Sequence, residues 1–142
     1  MQQRVEELSQ TELVRLAKHR EWLLGHYVSN PEQSYEGYAA KLVLIDRILA
    51  SGWIKSDETW KLQSLGVALG DALAEYLGLH WVAVEDEYGR DPALQDGATS
   101  LKLYPLTMIS KRVENGETPE AVDIFKSLVR KIETLRPQLN GN

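Results

Sequence analysis

The chain has no cysteine, a single phenylalanine and only two methionines in 142 residues. Without thiols it forms no disulfide, thiolate zinc site, iron–sulfur cluster or thiol nucleophile, which removes several enzyme classes. Positive charge is also scarce: 16 Lys and Arg stand against 21 Asp and Glu, for a net charge of -5. A field of that sign repels phosphate, so non-specific nucleic-acid binding is not expected. The N-terminal stretch M-Q-Q-R-V-E-E-L-S-Q has no apolar run and carries acid, unlike a secretory or transit signal. The most apolar window, Gly66 to Val84, is broken by Asp71, Glu75 and His80. Those groups are costly in lipid, so no membrane span is expected and a cytoplasmic location is the reading that follows.

What is present is enough for one ordinary domain. Apolar residues make up 43% and charged residues 26%, the balance of a soluble globular chain rather than a disordered one. No repeat, low-complexity tract or linker divides it, although residues 1–33 could form an extension. Ser9-Gln-Thr-Glu12 has the spacing of a capping box and opens a first helix, ended by Gly25 and Asn30-Pro31. A second helix is predicted from about Ser34 to Ala50, and a third from a cap at Ser56 or Asp57 to Leu77, stopped by Gly78. Gly66, Gly70 and Ala74 fall four apart beside the leucine stripe of the third helix. Glycine costs about 1 kcal/mol in a helix interior, so their presence predicts close packing of another backbone.

The period then changes to two. Residues 80–86 and 99–104 are rich in β-branched and aromatic groups and read as an antiparallel pair joined by a loop of near twelve residues. Pro105 fits the first turn of a fourth helix ending near Asn115-Gly116, and Thr118-Pro119-Glu120 opens a fifth reaching about Leu135. The predicted fold is α+β, in the order α-α-α-β-β-α-α.

The chemistry-bearing residues cluster where the first strand ends. Glu85, Asp86, Glu87 and Asp91 offer oxygen ligands for a hard cation, or a carboxylate pair for acid–base work. Strand alternation points Glu85 and Glu87 away from Asp86, and the spacing is not that of an EF-hand, so a solvated strand end is the simpler account. Asp91-Pro92-Ala93-Leu94 also reads as a helix cap followed by proline at the first helical position. Arg90 has Asp86 or Glu87 as expected partners, and its planar fork suits an incoming carboxylate or phosphate. Lys102 could face Glu85 across the strand pair, while Lys111 and Arg112 complement a helix C-terminus.

The other candidates are weaker. His19 and His26 lie seven residues apart on one helix, about 10 Å along its axis, too far to share an ion, and His80 stands alone. Each histidine reads as a half-buried or surface residue, and no metal or cofactor is expected. Asp71 and Glu75, at i and i+4, project opposite the leucine stripe and read as an exposed polar face. No Gly-x-Ser-x-Gly elbow or P-loop occurs. The last helix carries Ala121, Phe125, Leu128, Ile132 and Leu135, widened by Val122, Ile124 and Val129. Burial of one wide face explains that stripe; a homodimer through residues 121–135 is the alternative.

The words L-G-V-A-L-G-D-A-L, L-G-L-H-W-V-A-V-E-D-E-Y-G-R-D-P-A-L and L-Y-P-L-T-M-I-S-K-R-V-E-N-G-E span Gly66 to Gly116. In them the chain resembles a bacterial family, the domain of unknown function numbered 3806. The resemblance implies a small bacterial cytoplasmic protein and carries no activity. Its most recognisable positions are Trp81, Glu85 through Asp91, Pro105, Lys111 and Arg112.

Two functional readings result. In the first, the protein is a non-enzymatic protein-binding module, with Glu85, Asp86, Glu87, Tyr88, Arg90, Asp91, Lys111 and Arg112 as contact residues. An acidic module of this size suits a basic partner, as an immunity-type protein masks a toxin. In the second, the Glu85–Asp91 carboxylates serve a metal-dependent or acid–base enzyme.

Overall fold

The computed structural model describes residues 2–27 and 35–139. A short strand β1 (Arg4–Glu6) leads into α1 (Gln10–Tyr27), α2 (Tyr38–Ser51) and α3 (Thr59–Leu77). Strands β2 (Leu79–Asp86), β3 (Gly89–Asp96) and β4 (Lys102–Leu103) follow, then α4 (Leu106–Glu114) and α5 (Ala121–Leu139). The fold is α+β as predicted, with β1 and β3 added to the expected order. The sheet is antiparallel throughout, in the order β1-β2-β3-β4.

The capping box forms: the Ser9 amide donates to Glu12 Oε1 (2.8 Å) and the Glu12 amide to Ser9 Oγ (3.2 Å). Helix α1 then runs through Gly25, where no neighbour constrains the glycine. The expected stop at Asn30-Pro31 and start at Ser34 lie outside the described residues. Helix α3 is the hub, touching α1, α2, α4, α5 and β2. Ser64, Leu65, Gly66, Val67, Ala68, Leu69, Gly70, Ala72 and Leu73 are all buried, so its apolar surface runs almost all the way round. A helix of that kind belongs inside a domain rather than on its surface. Its two interior glycines explain the packing: a Cβ on Gly66 would lie 2.6 Å from the carbonyl oxygens of Pro105 and Leu106, and one on Gly70 2.5 Å from the Trp81 ring. The close backbone approach predicted from the glycine spacing is therefore made by the start of α4.

Helix α5 starts at Ala121, and its first amides are held from another element: Asp46 of α2 accepts from the amides of Ala121 and Val122. Its wide apolar face is mostly buried, with Ala121, Ile124, Phe125, Val129 and Ile132 in the core. Pro137 lies inside its last turn rather than beyond it. Arg136 donates to Asp96 Oδ2 (3.1 Å) and to the Leu77 carbonyl, tying that end to the sheet and to α3.

The described residues before position 28 pack against the rest of the domain. β1 pairs with β2, and α1 buries Leu16, His19 and Leu23.

Candidate functional site

The expected long connection after Glu87 does not exist. Residues 89–96 form β3, joined to β2 by a turn of Glu87 and Tyr88, in which Asp86 Oδ1 accepts from the Tyr88 amide (2.8 Å). Gly89 has φ 137°, a value that favours glycine at this corner. Asp91 therefore caps no helix, because Asp91-Pro92-Ala93-Leu94 is strand. Proline normally avoids a strand with neighbours on both sides. Here β4 pairs only with Leu94 and Gln95, so β3 is locally an edge at Pro92.

The register sorts the sequence-derived site residues onto two faces. Glu85 and Arg90 are partners on the helix-facing side, with Trp81, Ala83 and Leu94. Glu85 forms an ion pair with Arg4. Arg90 takes neither expected partner, Asp86 or Glu87. Its Nε donates to Glu12 Oε2 (2.9 Å) and its Nη2 to Glu12 Oε1 (3.0 Å), with Glu6 as a third carboxylate contact. Hydrogen bonding from Arg90 holds the Glu12 carboxyl down at about 2. Arg90 thus clips β1 and the start of α1 to the hairpin, and its fork is occupied.

Asp86 and Asp91 point to the opposite face. Among the described residues no group of three His, Asp or Glu side chains is placed to hold a metal ion. Lys102 does not meet Glu85, since β3 lies between them; it pairs with Gln95 in register, and its Nζ donates to the Ser100 carbonyl (3.1 Å). Tyr88, at the turn, is 90% exposed. Arg112 folds back on its own helix, donating to the Met108 carbonyl. Lys111 instead reaches a cavity of about 240 Å³ shared with Arg15, Gln63, Asp91, Tyr104 and Thr107.

Two constellations escape the sequence reading. Asp71 is not part of an exposed polar face: its side chain is 14% exposed and accepts four hydrogen bonds. Arg20 supplies two, from Nε (2.7 Å) and Nη2 (2.8 Å), Tyr35 a third from its hydroxyl (2.5 Å) and Trp81 a fourth from Nε1 (2.9 Å). Burial, with the Asp71 charge beside it, pushes the Tyr35 hydroxyl well above its ordinary range. Glu75 accepts from the nearly buried Lys41 (2.9 Å) and from the Tyr38 amide (3.0 Å). The signal for the Asp71 network was the nearly all-round apolarity of α3, which leaves Asp71 little water to face, whereas Glu75 near its end is exposed as expected. His19 is likewise fully buried rather than half-buried, with Nδ1 2.7 Å from Ser64 Oγ and its ring stacked on Trp60. Burial first, then the charges of Arg15 and Arg20, lower it to about 4.

The second missed feature is a groove of about 520 Å³ between α2 and α5. Tyr38, Tyr76 and Phe125 form its floor, with Tyr38 stacked on Phe125 and Tyr76 edge-on to both. Val43 (54% exposed), Tyr76 (46%) and Tyr38 (37%) open it to solvent, and Lys126 and Arg130 stand on its rim. Neither cation forms an ion pair among the described residues.

Fold and surface define a small α+β domain organised round one buried helix, with an antiparallel sheet on its flank. The chain belongs to the family described as Domain of unknown function (DUF3806), whose profile matches residues 41–125. A crystal structure of a protein from Bacteroides thetaiotaomicron VPI-5482 is similar, with a TM-score of 0.77 at 16% identity, over 91% of this chain and 48% of that one. That likeness concerns the fold, and the chain spans about half the length of that neighbour. Among curated proteins none matches. No described helix is long and apolar enough to cross a membrane.

Proposed function

We propose that this chain is a non-enzymatic protein-binding module whose docking surface is the groove between α2 and α5. The observation that carries this reading is the exposure of Val43, Tyr38 and Tyr76 in one groove, with the buried Phe125 ring packed against both tyrosines. Single exposed apolar residues are ordinary, whereas apolar residues joined in one groove mark a contact surface, and tyrosine is a frequent anchor there. From Val122 to Glu133 the groove runs roughly 16 Å along α5, the length of about three helical turns. Such a groove suits the apolar face of an amphipathic helix.

Local charge selects the partner. Although the chain is acidic overall, the rim carries Lys126 and Arg130, with Arg47 beside Val43 on the neighbouring surface, against the single acid Glu133. An acidic amphipathic helix complements it, in contrast to the basic partner expected from net charge alone. A photo-crosslinking amino acid at Val43, introduced in the native cell, tests the assignment. The expected product joins Val43 to an acidic helical segment of another protein. Crosslinks only between copies of this chain would replace the reading with the homodimer, and none above those from the exposed Leu13 would defeat it.

A further inference from the structure

His19 stands at the seam between α1 and α3 and lines no part of the groove. Its ring is fully buried and stacked on Trp60, with Nδ1 2.7 Å from Ser64 Oγ. The Ser64 hydroxyl has one hydrogen and donates it to the Trp60 carbonyl (3.2 Å), so the short contact is made by an N–H at Nδ1 of His19. The other assignment would bury an N–H at Nε2 with nothing to accept it, and orphaned buried donors are rare. Nε2 therefore carries the unshared pair. Among the described residues it is the only buried side-chain nitrogen or oxygen without a partner.

A proton taken up at that nitrogen creates a buried, charged N–H with no acceptor. From α1, Arg15 and Arg20 oppose a positive ring. From α3 the ring meets Trp60 and Ser64, while charges on neighbouring turns are engaged elsewhere, Lys61 with Glu58 and Asp71 with Arg20. One turn earlier on α1, Leu16 packs with Val67, Leu106 and Trp81, none of them charged. The Trp60 face attracts a cation, but the two rings are stacked, so the new N–H lies beside that face rather than aimed at it.

We infer that His19 is an acid-operated latch: protonation at Nε2 releases α1 from α3 and uncovers Trp60, Ser64 and Val67, while the rest of the domain stays folded. Water is the acceptor that the new N–H lacks, and parting the two helices supplies it. Helix α1 rests chiefly on α3, whereas α3 is held by α2, α4, α5 and β2 as well, so this seam opens before the others. Acid in the working range leaves the clip at the start of α1 charged, because Arg90 holds Glu12 at about 2. The pH response therefore belongs to His19. It titrates at about 4 in the fold against 6.5 when released, so opening is unaffected above pH 6.5 and favoured as pH falls toward 4.

Hydrogen exchange of the full chain at pH 7 and pH 5, corrected for the intrinsic rate, tests the latch. The opening constant of α1 should rise about 20-fold over that interval, with α1 less protected than α5 at both pH values. In His19→Gln the rise should vanish, and in His80→Gln, at an exposed position of β2, it should remain. Nitrogen NMR of the wild-type chain at pH 7 gives a check that needs no variant: Nδ1 protonated and Nε2 bare is the expected tautomer. A proton on Nε2 at pH 7, equal protection of α1 and α5 at pH 5, an α1 opening that ignores pH, or a pH response that survives in His19→Gln would each overturn the assignment.

Discussion

Asp71 and Asp91 are both aspartates beside arginine, and the molecule uses them in opposite ways. Asp71 sits on the buried helix α3 and has four donors on it, from α1, β2 and the segment before α2. Asp91 sits on the exposed face of β3, and no side chain among the described residues is bonded to it. A carboxylate that folding removes from water must be paired within the fold, whereas one left in water is satisfied by solvent. Burial, not residue type, decides which of the two aspartates the fold has to satisfy.

Substitutions that strike each site in turn sharpen that contrast. The largest effect is expected from Asp71→Ala, which leaves Arg20, Tyr35 and Trp81 without their acceptor. Removing one partner of a buried pair costs about 3–5 kcal/mol, a large share of a domain's stability, and urea denaturation reads it directly. Asp91→Ala should leave the same midpoint within about 0.5 kcal/mol, as exposed substitutions usually do. A loss at Asp91 close to that at Asp71 would erase the distinction.

As pH falls below neutrality, His19 is the first buried group to respond. His19 titrates at about 4 in the fold against 6.5 in the ordinary state, because burial and two arginines oppose its charge. The unfolded chain therefore binds the extra proton between those values. Stability is unaffected by His19 above pH 6.5 and falls as pH drops from 6.5 to 4, by about 3 kcal/mol across the window. Urea midpoints at pH 7 and pH 5 check the slope, which His19→Gln should flatten.

Packing gives a smaller and more local effect. Gly66→Ala would press a methyl group against the Pro105 and Leu106 backbone, which cannot yield as a side chain can, at a cost of about 1–3 kcal/mol. Gly25→Ala meets nothing within 4 Å and should stabilise α1 by about 0.5–1 kcal/mol. Thermal melts of the two variants should move in opposite directions.

The helices were legible because their signals are local. The Ser9–Glu12 capping box, the Gly78 stop and the leucine spacing act within one or two turns, and the structure uses each of them. Gly66 and Gly70 announced a close approach without saying by what. Strand β3 was hidden because Asp-Pro resembles a helix start, and what makes it tolerable in a strand is the shortness of β4, a fact of pairing rather than of the segment. Arg90 was read with its sequence neighbours, but its partners Glu6 and Glu12 come from the opposite end of the chain. The Asp71 network and the α2–α5 groove depend on which elements meet, so no single stretch could display them.

The central claim is that the apolar groove serves recognition and not folding. Affinity capture from the native source should compare the wild-type chain with Val43→Glu, which places an acid among the exposed apolar side chains, alongside the urea midpoint of each. An unchanged midpoint and loss of the captured partner are expected. A variant that retains the same bound proteins at the same level would contradict it.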